Sequence, residues 1–311
     1  MKLTVAAVQM ESKNADWEGN RQRAETHILE AVQAGARLIS LPEFALAGYI
    51  YEDSIWDAAE PLRGRTFQWL SALCRRHGVY LATCILEKEG QDFFDTFVLC
   101  GPNGELWSHR KIEPAAYEAF FFKGGGRNPN VFDTPIGRIG IAICFDTSKT
   151  HTIRSLIENR PEILLLQYSC PGLPSFFLKR DRDNWVEVYK HTAATYARHL
   201  GVPVVACNKT GPFRTSIPMS FGIQYTAAFV DTSVIVDAQG APVSLISAKP
   251  GVICAEVEPA GKDSLPIDAL PQGRWFLPLT LASRFSTEYG QKCGKLRYAF
   301  SQKRKRAALG R

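Results

Sequence analysis

Leu3-Thr4-Val5-Ala6-Ala7-Val8-Gln9 is a short apolar run, Trp17 to Ala34 follows, and Ala36-Arg37-Leu38-Ile39-Ser40-Leu41 is apolar again. The first and third stretches have the length of buried strands. The middle one repeats apolar residues at helical spacing (Ala24, Ile28, Ala31, Val32) and is closed by Gly35. The alternation continues outward. Thr66–His77 has helical spacing and stops at Gly78, and Val79–Leu86 is a third strand. Gly101-Pro102-Asn103-Gly104 is a turn that joins Phe94–Cys100 to Glu105–His109 as a hairpin. Arg138–Cys144, Glu162–Gln167 and Pro203–Cys207 are further apolar strands, separated by expected helices at Thr152–Glu158 and Trp185–His199. Thr226–Asp237 and Gly251–Val257 are more strictly β, with a turn at Ala238-Gln239-Gly240. Strands alternating with helices and then giving way to hairpins imply an α/β fold with a mixed sheet buried under helices. No linker interrupts the chain before about Pro259, and the segment after Trp275 is poor in periodicity and ends basic.

Composition narrows the function. At 45% hydrophobic and 22% charged residues the chain is neither disordered nor fibrous. The net charge of +6 comes mostly from Lys303, Arg304, Lys305, Arg306 and Arg311. Elsewhere no stripe of Lys/Arg is interleaved with aromatics, so nucleic acid is not an expected partner. The eight cysteines are scattered through apolar runs, as buried thiols in a reducing compartment are. There is no CxxC and no Cys/His pair at zinc spacing, which fits chemistry that needs no metal or organic cofactor. No run reaches the roughly 18 apolar residues of a membrane span and no signal peptide is evident, which makes the expected location cytoplasmic.

Three places carry candidate chemistry. In Gly140-Ile141-Ala142-Ile143-Cys144-Phe145-Asp146 a buried strand ends in a thiol and the chain turns polar. A cysteine at such a turn is held clear of the sheet, beside backbone N–H groups, here that of Phe145, that favour a thiolate or an oxyanion. In Leu38-Ile39-Ser40-Leu41-Pro42-Glu43-Phe44 an acid follows a strand, at the carboxyl end where ligands of open α/β sheets collect. Partial burial there suits Glu43 to proton transfer. In Ser108-His109-Arg110-Lys111-Ile112 a basic cluster ends the hairpin, and a lysine beside a thiol lowers its pKa and donates to an oxyanion. Each also has an ordinary structural reading: a buried core cysteine, a helix-capping or surface glutamate, a solvated charge patch. Spacing alone leaves those alternatives open.

Taken together, the order LPEF, HRK, ICFD resembles the nitrilase superfamily of carbon–nitrogen hydrolases, whose members use a Glu–Lys–Cys triad in this chain order. The similarity runs from about Leu3 to Val257. It includes LTVAAVQM, the stretch Tyr117-Glu118-Ala119-Phe120-Phe121-Phe122-Lys123-Gly124-Gly125, Val202–Asn208 and Asp231–Gly240. The resemblance implies a four-layer α-β-β-α sandwich, with residues 1–275 as the hydrolase domain and 276–311 as an extension with a basic tail. It also implies Cys144 as nucleophile, Glu43 as general base and acid, Lys111 with the Phe145 N–H around the oxyanion, and Glu118 orienting Lys111 or substrate and water. It implies a homodimer too, for which the helix at 185–199 and the tail after Trp275 are the candidate contacts.

Two departures bear on substrate. Many members continue past the cysteine with an Arg-Phe-Pro-Glu-like run, where this chain has Thr147-Ser148-Lys149-Thr150, and Glu113 stands where many carry a histidine. Cys144-Phe145-Asp146 is closer to the amidase and carbamoylase branches than the Cys-Trp-Glu usual in true nitrilases. The expected reaction is therefore hydrolysis of a small linear amide or N-carbamoyl compound through a thioester. Nitrile hydrolysis is the alternative within the family, and a catalytically silent scaffold is the alternative outside enzymes. An acyltransferase is a further alternative, but transferase members are usually fused to membrane or ammonia-channelling parts. Tyr49, Tyr168, Cys170 and Trp185, just beyond strand ends, are the candidate pocket residues, with core packing as the competing reading. Arg180 and Arg182 would either meet a substrate carboxylate or lie in a solvated loop.

Overall fold

The structure, a computed structural model, describes residues 2–261 and 270–300. In chain order the first elements are β1 (Leu3–Gln9), α1 (Trp17–Gln33), β2 (Leu38–Ser40), α2 (Arg65–His77), β3 (Tyr80–Glu89), β4 (Asp92–Cys100) and β5 (Leu106–Arg110). Then come β6 (Val131–Thr134), β7 (Gly137–Ile143), α3 (Thr150–Asn159), β8 (Ile163–Gln167), α4 (Lys179–Lys190), α5 (Thr192–Leu200) and β9 (Val204–Cys207). The last are β10 (Pro212–Ser216), β11 (Gln224–Ala228), β12 (Thr232–Val236), β13 (Pro242–Ser247), β14 (Gly251–Val257) and α6 (Leu281–Phe300). Short 3-10 turns cover Ala116–Phe120 and Cys144–Ser148.

The strands form two six-stranded mixed sheets, ordered β14-β1-β2-β3-β4-β5 and β13-β12-β9-β8-β7-β6, with β10 and β11 as a separate hairpin. The period-2 pleat explains the layering. Val5, Ala7, Leu38, Ala82 and Leu99 point to the core shared with Ile139, Ile141 and Leu165 of the second sheet. Their neighbours Ala6, Val8, Ile39, Leu81 and Val98 point the other way, onto Ala24, Ile28 and Ala31 of α1 and Leu70 and Leu73 of α2. On the outer face of the second sheet, Ile153 and Leu156 of α3 and Tyr196 and Ala197 of α5 are buried. The result is the expected α-β-β-α sandwich. Parallel pairing within β1-β2-β3 and within β7-β8-β9 sends the carboxyl ends of β2 and β7 to the segments that carry Glu43 and Cys144.

Three expectations are corrected. The helix at 185–199 is two helices: α4 begins at Lys179 and ends before His191 (φ −96°, ψ 1°), where α5 takes over. Its early turns are polar and exposed, so they gave no apolar period, and Thr192 and Thr195 bond back to the carbonyls four residues earlier at the bend. The β run at 226–237 is divided between β11, which pairs with β10, and β12, which joins the second sheet. Finally, the segment after Trp275 contains the 20-residue helix α6. Its buried face consists of Ser283, Thr287, Gly290, Gln291, Gly294 and Tyr298, whereas Leu281, Phe285, Leu296 and Phe300 are exposed. The small residues let α6 lie close on the 116–120 turn: a Cβ on Gly294 would sit 2.7 Å from the carbonyl carbon of Ala119. Gln291 Nε2 donates to the Pro114 carbonyl at 2.6 Å, pinning the same turn. The basic residues at 303–306 and 311 lie outside the described residues. No described helix is long and apolar enough to cross a membrane.

Candidate active site

Glu43, Lys111 and Glu118 converge between the sheets, each at most 1% exposed. Lys111 follows β5, and its backbone N–H donates to the Asp95 carbonyl at 2.8 Å, which fixes where the side chain starts. Its Nζ donates to Glu43 Oε1 at 2.7 Å and lies 2.8 Å from Glu118 Oε2 and 3.2 Å from Asp95 Oδ2. Glu43 also accepts from the Ser169 N–H at 2.5 Å, and its own carbonyl accepts from Ser169 Oγ at 2.6 Å. Glu118 accepts from the Ala115 N–H at 2.6 Å and from the Tyr49 hydroxyl. Carboxylate oxygens of Glu43, Asp95 and Glu118 all lie within 4.8 Å of one another, a cation-sized nest, and the Lys111 ammonium sits among them.

Three buried carboxylates cannot all stay ionised around one ammonium. Burial, reinforced by the Glu43 charge, pushes Asp95 well above the usual carboxylate range, so it is held neutral. Burial also raises Glu118, with Lys111 opposing. Burial would raise Glu43 as well, but the Lys111 charge and the bonds from Asp95, Lys111 and Ser169 outweigh it and hold Glu43 below its ordinary value. Burial opposes the charge on Lys111, and the carboxylates of Glu118 and Glu43 overcome it and raise its pKa well above the ordinary value. Glu43 and Lys111 are thus held charged and Asp95 neutral, in a set that titrates together.

Cys144 opens the 144–148 turn at φ 42°, the left-handed region that costs a side-chain-bearing residue of order 1–3 kcal/mol. Phe44 (φ 49°), next to Glu43, and Ala116 (φ 32°), two residues before Glu118, are held in the same region. Three of the eight non-glycine residues with positive φ among the described residues thus carry or adjoin these side chains. Burial, then the nearby Glu43 charge, pushes the Cys144 thiol well above its ordinary pKa. The turn is braced from three sides. Asp146 accepts from the Ile112 N–H at 2.7 Å and the Glu113 N–H at 2.9 Å, tying it to the loop after Lys111. Thr147 Oγ1 donates to the Cys144 carbonyl at 2.6 Å. The Phe145 ring packs edge-on to Trp275, and the Lys149 Nζ stands 4.5 Å from its centre.

A cavity opens onto Cys144 and Phe145, and Tyr49, Cys170 and Trp185 line it. Tyr168 does not: it packs edge-on against Tyr189, one layer behind the wall. Arg180 is exposed, and neither it nor Arg182 reaches the cavity. Sequence reasoning missed Asp95 beside Lys111, and it missed Tyr51 and the α6 residues Ser283, Ser286 and Thr287, which line the wall. Asp95 carried a signal, being a lone acid inside the apolar strand Phe93–Cys100. The α6 residues carried none.

Residues 4–265 match the family model for carbon–nitrogen hydrolases. A nitrilase of Pyrococcus abyssi (strain GE5 / Orsay) is 32% identical over 212 residues, covering 65% of this chain and 79% of that protein. Nitrilase 1 of Arabidopsis thaliana is 30% identical over 164 residues, 46% of this chain and 47% of the plant protein, about half of its length. Among solved structures, a carbon–nitrogen hydrolase from Helicobacter pylori G27 superposes with a TM-score of 0.72 at 19% identity, over 82% of this chain and 89% of that one. The chain belongs to the carbon–nitrogen hydrolase family, and its sandwich is the fold of the nitrilase superfamily.

Proposed function

We propose that the chain hydrolyses the C–N bond of a small linear amide or N-carbamoyl compound, with Cys144 as nucleophile and a thioester intermediate. The observation that carries this reading is the Lys111 ammonium, buried between Glu43 and Glu118 beside a thiol on a strained turn. Because the thiol is held protonated, attack needs a base acting in step with it. Glu43 takes the proton as Sγ bonds to the carbonyl carbon, and the carbonyl electrons move onto oxygen. Lys111 and the Phe145 N–H stabilise that oxyanion. The oxyanion then collapses, the C–N bond breaks, and Glu43 returns its proton to the departing nitrogen. Water attacks the thioester, a carboxylate of the pair Glu43/Glu118 takes its proton, and the acid leaves as Cys144 recovers its own.

Nitrile hydrolysis is the second reading, favoured by the nitrilase names of the relatives above. Phe145-Asp146 after the cysteine, which resembles the amidase and carbamoylase branches, favours the amide. Ammonia release from paired amides, carbamoyl compounds and nitriles, with wild type and Cys144→Ala side by side, tests both. Turnover that vanishes in the variant supports the nucleophile, and the preferred class decides between the readings. A folded wild type that turns over none of them, with a Cys144 inert to iodoacetamide, would mean a silent scaffold. The same family reading carries a homodimer, for which the exposed Phe285, Tyr289 and Leu296 of α6 are candidate contacts and sedimentation is the test.

A further inference from the structure

We propose that the enzyme selects an uncharged, apolar acyl group and rejects substrates whose tail carries a carboxylate or an ammonium. The inference rests on the hydrolase reading above and concerns the part of the substrate that is not cleaved. Among the described residues, no Asp, Glu, Lys, Arg or His lines the cavity over Cys144. Its walls are largely aromatic, including Tyr51, Tyr117, Tyr189 and Tyr225. Most of the polar groups on that wall are already engaged with the protein. The Tyr49 hydroxyl donates to Glu118, the Tyr225 hydroxyl to the Gly172 carbonyl at 3.0 Å, and Trp185 Nε1 to the Pro171 carbonyl at 3.0 Å. On α6, Thr287 Oγ1 donates to the Ser283 carbonyl at 2.8 Å, and Ser283 Oγ pairs with Thr280 Oγ1 at 3.0 Å.

A charged tail entering here loses its water and meets ring faces rather than a counter-charge, whereas an apolar tail gains by leaving water. Arg180 and Arg182, the side chains suited to a substrate carboxylate, stand outside.

The test uses pairs of equal carbon count in which a terminal methyl is replaced by a carboxylate: butyramide against succinamate, and butyronitrile against 3-cyanopropanoate, with N-carbamoyl-β-alanine alongside. The neutral member is expected to have the higher kcat/KM by about 100-fold or more, whichever bond is cleaved. Binding of the same compounds to Cys144→Ala, followed by the fluorescence of Trp185 in the wall, should keep that order without any chemistry. Ser286→Arg, which adds a guanidinium to the α6 wall, should narrow the ratio by favouring succinamate. Succinamate or N-carbamoyl-β-alanine turned over as well as butyramide would overturn the selection and leave the hydrolase reading intact. No turnover of any compound, with the neutral members still bound more tightly, would sink the hydrolase reading and leave the selection standing. Equal binding of both members of each pair would overturn the selection outright.

Discussion

Two lysines are buried within reach of the same carboxylates, and they are held in opposite states. Lys111 is caged by Glu43, Asp95 and Glu118 at 2.7 to 3.2 Å, and its charge is locked on. Lys209, just after β9, is fully buried with its Nζ 5.9 Å from the ring centres of Tyr49 and Phe229. That Nζ has no hydrogen-bond partner among the described residues. Burial drives its pKa down to about 7, although Glu43 and Asp95 pull the other way. Contact, more than proximity, decides which buried amine stays charged: ion pairs hold Lys111 a cation, whereas Lys209, without them, gives up its proton near neutrality.

The sharpest way to break this contrast is Lys111→Met. It removes the proposed oxyanion donor and strands the Glu43 carboxylate without its cation. We expect kcat/KM to fall by about 10³-fold or more and stability by about 3–5 kcal/mol, read from initial rates and urea unfolding. Retention of activity within tenfold would end the claim that the caged charge matters.

Lys209→Met should act in the opposite direction. The native fold favours the neutral amine, whereas the unfolded chain keeps its proton up to about 10.5. The penalty is therefore absent above that pH, grows as pH falls toward 7, and is constant below. The variant should be more stable than wild type by up to about 5 kcal/mol at pH 6, by less at pH 8.5 and by almost nothing near pH 10.5. Urea unfolding at the three pH values measures it, and a pH-independent gain would show that packing, not the proton, is what changed.

The mildest probe loosens the cage from outside. Gly294→Ala would bring a Cβ to 2.7 Å from the Ala119 carbonyl carbon and push α6 off the turn that carries Glu118, at a cost of about 1–3 kcal/mol. Gly290→Ala, whose Cβ would lie 3.3 Å from Ala116, should cost less. If the two variants lose activity equally, α6 does not hold Glu118 against Lys111.

Much of this arrangement is written locally. The apolar runs of β1, β2, β3 and β7 and the glycine stops of α1 and α2 follow from composition and period, and Glu43, Lys111 and Cys144 stand in short, readable contexts. What escaped depends on partners distant in sequence. No local signal says that Ala228 and Thr232 belong to different sheets, because an apolar strand does not name its neighbour. Apart from Tyr298, the buried face of α6 is small and polar while its exposed face holds Leu281 and Phe285, so a hydrophobicity pattern reads most of the helix inside out. Asp95 is an acid placed for its neighbours rather than for its strand, and only the juxtaposition of β4 with Lys111 explains it.

The α6 wall has a consequence for how this enzyme can change over evolutionary time. The groups proposed to cleave, Glu43, Lys111 and Cys144, follow strand ends, while Ser283, Ser286 and Thr287 line the cavity from a helix that belongs to neither sheet. On that reading, one side of the wall can be rewritten without touching the residues proposed to cut. A drift of residues at those three positions would alter what the cavity accepts while Gly290, Gln291 and Gly294 keep the helix seated on the turn that carries Glu118.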